Sequence, residues 1–574
     1  MRRVRKLIYT ILPMNRKLPP FTKEFSSINF KNESIGDWLV RVVVIPLFML
    51  VGFGVLILRL FHLTVVKGTY FSNLAQSNRI KEVQIDAPRG KLYDRKGLLL
   101  ASSQEIIKDG KISGYKRIYL GNETTAHIIG FRQIAARVDI ERDACSSLLE
   151  PNDWVGKAGI EKLFDCRLRG KRGKELIEVN AKGKHRKTLA TVSPRQGEQI
   201  NLSLDSELQQ KAYDTIINNA IRTNVSLDLT KHHIAIIATI PKTGEVLLSL
   251  SYPSFNPNAF EEQNKKLVKS YLNDPMQPLF NRVFQGEYPP GSVFKPVIAV
   301  GALEDGKIDK DFEVEDTGVV QAGPQTFGNW YFLQYGRKEG LVDIVKGIRR
   351  SNDIFFYKTG EKLGVDGIKK WATTFGFGRP TKSGFPEGEG LIPTNFWKRE
   401  TLSERWYLGD TYNLSIGQGY LLVTPIQINQ AMAAIAENGT YCQPIFEKIT
   451  DKNKDRLVKC KSLHLKNETL DLVHLGMLEA CKTGGTGWPF FTFGQTGSAT
   501  DSARLAKPVS VGCKTGTAQN HKSSGLPHAW FTAFAPYENP EIVITVLVDG
   551  AGEGSSVAAP IAKEILEFYF SRTQ

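Results

Sequence analysis

VGCKTGTAQN, residues 511–520, contains Lys514-Thr515-Gly516, and the reading of that triplet decides the fold. The same three letters recur at Lys242-Thr243-Gly244, Lys358-Thr359-Gly360 and Lys482-Thr483-Gly484. Their neighbours separate them. Lys242 lies in PKTG between HIAIIATI (233–240) and EVLLSLSYP (245–253), two apolar strands around a Pro/Gly turn. Lys358 follows DIFFY in a helical stretch expected to relax at Gly360, and Lys482 ends the helix DLVHLGMLEAC. These three read as ordinary structure. Lys514 instead follows PVSVGC, an extended run, and precedes AWFTAFAP (529–536), so a strand there would lie beside it in a sheet. Gly516 has no side chain to hold a substrate backbone away. A Lys on a sheet edge with hydroxyls beside it is a receptor for a carboxylate.

Such a receptor needs a nucleophile, and Ser-x-x-Lys occurs twice. Ser113-Gly114-Tyr115-Lys116 lies in a charged turn with no apolar helix after it. Ser292-Val293-Phe294-Lys295 follows YPPG and precedes PVIAVGALEDG, so Ser292 is expected to start an apolar helix that stops at Gly306. The i, i+3 spacing puts Ser292 and Lys295 on one face, one turn apart. The electropositive helix N-terminus and burial both lower the pKa of an amine. A neutral Lys295 can then take the Ser292 proton, and the alkoxide attacks a carbonyl. Base assistance of this kind is worth roughly 10²–10⁴ in rate. A third element, Ser351-Asn352-Asp353, sits in GIRRSNDIFFYKTG (347–360), where a polar loop passes into an apolar helix. By itself it reads as an N-cap.

Ser292/Lys295, Ser351/Asp353 and Lys514/Thr515/Gly516, in that order, match the motif set of penicillin-binding proteins and serine β-lactamases. With APRGKLYDRKG (87–97), GKAGIEKLFDCRLRGKRG (156–173), PKTGEVLLSLSYPSFNPN (241–258), YPPGSVFKPVIAVGAL (288–303), SIGQGYLLVTPIQ (415–427), KTGTAQ (514–519) and AWFTAFAPYENP (529–540), residues 36–570 resemble class B penicillin-binding proteins of the elongation type. The resemblance implies an α+β, penicillin-recognising serine transpeptidase fold: an antiparallel sheet covered by helices, after a β-rich pedestal and one transmembrane helix. It implies that Ser292 is the acylated nucleophile, Lys295 its base, and Ser351 with Lys514 a relay toward the leaving amine. Asp353 stands where many relatives have Asn and elongation-type relatives have Asp. Thr515, Gly516 and Thr517 would bind the donor peptide, and the N–H groups of Ser292 and Thr517 would form the oxyanion hole. The implied reaction is D,D-transpeptidation of peptidoglycan stem peptides, with β-lactams as substrate mimics and a SEDS-family glycosyltransferase as membrane partner.

Two departures from the relatives stand out. GYKRIYLGNETTAHIIGF (114–131) follows the Asp94-Arg95 turn closely, which leaves a reduced head subdomain. Residues 311–350 hold no His and no Cys, so neither the zinc of some elongation-type relatives nor any other metal or cofactor is expected. The alternatives are a division-type transpeptidase, a D,D-carboxypeptidase or β-lactamase, and a non-catalytic scaffold of the same fold. No ExxxN-type Ω-loop motif supports a hydrolase.

The rest of the chain fits this reading. The 574 residues are too many for one ordinary domain. The expected division is a basic cytoplasmic tail (1–38), a transmembrane helix (39–61), a pedestal (62–200) and a transpeptidase domain (201–574). Residues 42–58, VVVIPLFMLVGFGVLIL, carry no charge and are bounded by Arg41 and Arg59. With their flanks they reach the length that crosses a bilayer, and Trp38 and Tyr70 can anchor at the interfaces. The basic flank places the N-terminus inside and the remainder outside the cytoplasm, anchored in the bacterial cell membrane. The net charge of +16 then meets lipid headgroups or wall polymer, not nucleic acid. Nine Lys or Arg in 167–188 read as a solvated hairpin with basic edges. Six cysteines show no CxxC, and their spacing does not choose partners.

Overall fold

A computed structural model describes residues 36 and 39–573, apart from 78, 109, 147–148, 181–182, 223–226, 494–507 and 521–524. Nearly all of the expected tail 1–38, Trp38 included, lies outside the described residues. The chain divides into two units, 1–82 with 176–189, and 83–175 with 190–574. In the first, helix α1 (Val42–Val66) has 25 residues, none buried, and is long and apolar enough to cross a membrane. At 1.5 Å per residue it measures about 37 Å, against about 30 Å of hydrocarbon. It runs past the expected end at 61 because HLTVV (62–66) offers no Pro, Gly or full charge to stop it.

The second unit begins with the pedestal. Strands β1 (Leu99–Lys108) and β2 (Lys111–Tyr119) form an antiparallel hairpin. Ser113 and Lys116 lie on β2, where Ser113 Oγ donates to Ile106 O (3.0 Å) and Lys116 pairs with Glu262 (2.9 Å). The second Ser-x-x-Lys is therefore a piece of strand. Arg89 and Arg117 converge on Glu161, at 2.5 and 2.8 Å, with all three nearly or fully buried. Asp165 takes a second bond from Arg89 (2.6 Å) and a pairing with Arg169. Two of the quoted sequence stretches are thus held together by charge. Buried carboxylates persist when they are paired or fully hydrogen-bonded, and these are paired. A Cys145–Cys166 disulfide staples the same region. The segment 167–188 does contain β3 (Gly173–Val179) and β4 (His185–Val192). Its leading arginines are not merely solvated, because Arg167 bridges Glu198 and Glu447 and Arg169 also holds Asp143.

The sheet and its helices follow. α2 (Ser206–Arg222) is capped by Asp205, which accepts the Leu208 N–H at 3.0 Å, while Ser203 donates to the Val246 carbonyl instead. After it come β5 (Ile234–Thr239), β6 (Val246–Tyr252), α3 (Lys295–Glu304), α4 (Asp353–Thr374) and α5 (Pro425–Ala436). The capping box of α5, Thr424 with Gln427, forms as its sequence predicts. The chain closes with β7 (Gly512–Ala518), β8 (His528–Ala535), β9 (Ile542–Val548) and α6 (Ala558–Thr573). The strands pair antiparallel in the order β6–β5–β9–β8–β7. On β9, Ile542, Ile544, Val546 and Val548 join the core under α2 and α6, whereas Val543 and Leu547 join the core containing α3 and α5. Burial on both faces is why EIVITVLV reads as an unbroken apolar run rather than an alternation.

The expectation at Gly360 fails. The helix at Lys358 does not relax at Gly360; α4 continues to Thr374 and turns at Gly364 (φ +73°). Gly360 serves packing, since a side chain there would meet the Ser415 Cβ at 2.3 Å. The cysteines left open by the sequence pair as Cys442–Cys460 and Cys481–Cys513.

Candidate active site

Ser292 lies in one turn of 3₁₀ helix, Gly291–Phe294, that runs directly into α3, whose first residue is Lys295. The chain just ahead of it is pinned from three directions. Tyr288 exchanges two backbone bonds with Val423, both 2.9 Å. The Gly291 N–H donates to the Gly417 carbonyl (2.8 Å), and Trp530 Nε1 donates to the Pro289 carbonyl (3.0 Å). Gly417 must be glycine, because a Cβ there would lie 2.1 Å from the Gly291 oxygen. The half-buried Ser292 opens on a cleft of about 830 Å³, shared by Ser351, Asp353, Thr515, Gly516 and Thr517.

Lys295 is fully buried, and its Nζ donates to the Ser351 carbonyl (2.7 Å), Asp353 Oδ1 (2.7 Å) and Ser351 Oγ (3.3 Å). Burial lowers its pKa, and the Asp353 carboxylate works against that fall. Ser351 adopts a left-handed backbone (φ +53°), a conformation uncommon for a residue with a side chain. Asn352 is the N-cap of α4, accepting the Phe355 N–H at 2.8 Å. The bland reading of Ser351-Asn352-Asp353 is therefore correct for its middle residue, and the cap is what presents the other two to Lys295.

Lys514 lies on β7, an edge strand of the sheet, as its sequence context suggested. It is fully buried, its Nζ donates to the Thr515 carbonyl (2.9 Å), and burial together with the nearby Lys295 charge drives its pKa far down. The β7–β8 register is unbroken from Gly512–Phe534 to Ala518–His528 and sets Lys514 opposite Thr532, on the side of the sheet that Trp530 and Gly516 share. The hydroxyl groups that β7 brings to the cleft are those of Thr515, bonded to Thr486 Oγ1 (2.8 Å), and Thr517. Gly516 has a packing role as well, since a Cβ there would approach Trp530 Cβ and Val293 Cγ1 to 3.0 Å. Its bareness lets β7 close on the Gly291–Phe294 turn.

Several cleft residues escaped the sequence reading. Gln418 clasps the end of β7, donating to the Thr517 carbonyl (3.2 Å) and accepting the Gln519 N–H (3.1 Å). Thr486 comes from the Gly-rich run after Lys482-Thr483-Gly484, and Trp330 gives its backbone N–H to Asp353 Oδ2 (3.0 Å). SIGQGYLL and GGTG carried a signal in their glycines, but Trp330 had none. Of the other triplets, Lys242 reaches Asn539 (2.6 Å), Lys358 pairs with Glu361 (2.7 Å) and Lys482 with Glu479 (3.2 Å).

Comparison with known proteins agrees with this geometry. The penicillin binding protein transpeptidase domain matches residues 234–567, and the penicillin-binding protein dimerisation domain matches 112–202. The peptidoglycan D,D-transpeptidase MrdA of Haemophilus influenzae is 29% identical over 624 residues, covering 93% of this chain and 92% of the relative. A structure of Pseudomonas aeruginosa PBP2 in complex with WCK 5153 superposes with a TM-score of 0.69 at 30% identity, covering 85% of this chain and 96% of that one. Helicobacter pylori PBP2 in complex with MreC gives 0.69 at 26% identity, covering 85% and 98%. A domain match over more than half of the chain, with the Ser292 turn, the capped helix and the β7 edge on one cleft, places this chain in the penicillin-binding protein transpeptidase family.

Proposed function

We propose that this protein is an elongation-type peptidoglycan D,D-transpeptidase, anchored by α1 with its N-terminus in the cytoplasm and its catalytic domain outside. The carrying observation is the convergence of Ser292, Ser351, Asp353, Thr515 and Thr517 on one cleft, with Lys295 and Lys514 buried behind it. Lys295, whose burial eases the loss of its proton, takes the hydrogen of Ser292 as Oγ attacks the penultimate D-Ala carbonyl. The N–H groups of Ser292 and Thr517 receive the oxyanion, each worth roughly 3–4 kcal/mol. The hydroxyls of Thr515 and Thr517 hold the terminal carboxylate. Ser351, beside Lys295 and backed by Lys514, returns the proton to the leaving amine, and D-alanine departs. The amine of a second stem peptide then attacks the ester, forms the cross-link and restores the serine. A β-lactam enters the same first step and leaves a slow acyl-enzyme. No step calls for a metal or cofactor.

Three disulfides suit a domain outside the cytoplasm. The relatives named MrdA and the fit to PBP2 structures support the elongation role, as does Asp353. One superposed structure is described as a peptidoglycan synthase complex that coordinates polymerization and crosslinking (TM-score 0.72, 26% identity, covering 93% of this chain and 98% of that chain). That likeness supports a membrane partner that polymerises the glycan, for which the family resemblance implies a SEDS-family glycosyltransferase. Between Asp94 and Phe131 the main feature is the hairpin β1–β2, in keeping with a reduced head on the pedestal. The test is mass spectrometry after exposure to benzylpenicillin: one adduct on Ser292 is expected, absent from Ser292→Ala. An adduct on another residue refutes the assignment.

A further inference from the structure

Behind the cleft a buried carboxylate organises the groups that hold Lys295. Asp316, 2% exposed, accepts four N–H donors. Its Oδ2 takes Asn329 Nδ2 (2.7 Å), Asn352 Nδ2 (2.9 Å) and the Glu339 backbone N–H (3.2 Å), and its Oδ1 takes the Gly318 N–H (2.8 Å). All four partners are donors, so only an acceptor-only carboxylate satisfies them; an amide would turn its NH₂ either against the Gly318 N–H or against the three donors at Oδ2. No Lys, Arg or His pairs with Asp316 among the described salt bridges.

Each of the two asparagines has its other end on the active site. Asn329 Oδ1 accepts the Asp353 N–H (3.1 Å), and the next residue, Trp330, gives its N–H to Asp353 Oδ2 (3.0 Å). Asn352 Oδ1 caps α4, which begins with Asp353. Asp353 Oδ1 then receives Lys295 (2.7 Å). Asn329 is also tied by its N–H to the Gly318 carbonyl (2.9 Å), in the turn that Asp316 itself shapes. Asn329 and Asn352 are both completely buried. An amide side chain offers similar outlines in its two flipped orientations. A donor-only demand at Asp316 selects one orientation for both, the one that aims their oxygens at the Asp353 and Phe355 N–H groups.

We propose that Asp316 is a positioning residue for acylation: through Asn329 and Asn352 it fixes the Asp353 carboxylate, and thereby the Lys295 amine, against Ser292. This rests on the transpeptidase reading. It predicts that the chain's dependence on Asp316 is felt in the chemistry of Lys295 and not only in fold stability. Lys295 is faced by Asp353, the Ser351 carbonyl and hydroxyl, the Lys514 charge and the Phe356 ring, and of these Asp353 is the group Asp316 controls.

The experiment is the second-order rate of acylation of the full detergent-solubilised chain by a fluorescent penicillin, measured across pH. Asp316→Asn should slow the plateau rate by about 10²-fold, the scale of a misplacement near 1 Å. Its acid limb should move to lower pH, because a Lys295 that loses its grip on Asp353 holds a proton less tightly. Asp316→Asn/Asn329→Asp returns a donor facing an acceptor between the two positions and an acceptor to the Asp353 N–H. It should recover about tenfold of the loss, which a purely structural role does not predict. If Asp316→Asn fails to fold, Asn329→Ser carries the test by cutting the relay while leaving the carboxylate. An Asp316→Asn protein with the parent's rate and pH limb, or a double variant with no recovery, overturns the proposal. A parent that takes no penicillin overturns instead the transpeptidase reading on which it rests.

Discussion

Asp353→Asn puts the site's electrostatics to a direct test. The carboxylate accepts Lys295 through Oδ1 (2.7 Å) and the Trp330 N–H through Oδ2 (3.0 Å). An amide of the same shape has one acceptor oxygen, so it keeps one of these bonds and turns an NH₂ toward the other donor. A hydrogen bond to a charged partner contributes about 1.5–3 kcal/mol. If that stabilisation is felt in the acylation transition state, its loss slows the plateau rate about ten- to a hundredfold. The pH dependence moves independently. Asp353 raises the pKa that burial of Lys295 lowers, so removing its charge lets the pKa fall further. In the proposed mechanism Lys295 acts as a base when neutral, so the acid limb of the acylation profile shifts to lower pH. The assay is stopped-flow acylation by a fluorescent penicillin from pH 5 to pH 10, about half a unit per step. A plateau equal to the parent's, or a limb displaced to higher pH, refutes the arrangement of Lys295 and Asp353 described above.

Other consequences are equally open to measurement. Gly516→Ala brings a methyl group to 3.0 Å from Trp530 and Val293, so it should cost about 1–3 kcal/mol in overpacking and slow acylation by displacing the nucleophile turn; unchanged penicillin labelling would contradict this. The Cys481–Cys513 disulfide closes a 32-residue separation next to Lys514, and Cys481→Ser/Cys513→Ser should lower stability by about 3–4 kcal/mol in thermal unfolding. His127 is pushed down to about 4 by burial, from 6.5. Its folded pKa lies below the unfolded one, so its contribution is intact above pH 6.5 and is lost as pH falls toward 4, by up to about 3 kcal/mol. His127→Gln should flatten the stability profile in that window relative to the parent, as read by thermal melts.

Local patterning was enough to find the elements and the chemistry. The apolar runs at 233–253 and 529–550 became adjacent strands, and the Thr424/Gln427 box started α5 where it was written. Ser292 and Lys295 could be paired because their relation is local, one helical turn, and Asn352 could be read as a cap for the same reason. What the letters could not carry is whatever depends on chain folding back over long separations. Lys514 was read as a receptor on a sheet edge, and strand alternation says which face a side chain takes, not whether that face is covered; the packed structure buries it completely, on the side of the sheet that holds Trp530. The partners of six cysteines, the clasp of Gln418 on β7 and the four donors gathered on Asp316 are likewise contacts between segments distant in sequence. The sequence by itself determined the class of fold and the order and local spacing of its motifs, because periodicity and short motifs are encoded within a few residues. Only the tertiary structure decided which charges are buried and what they face, because desolvation and hydrogen bonding are properties of the packed interior and of no single stretch of chain.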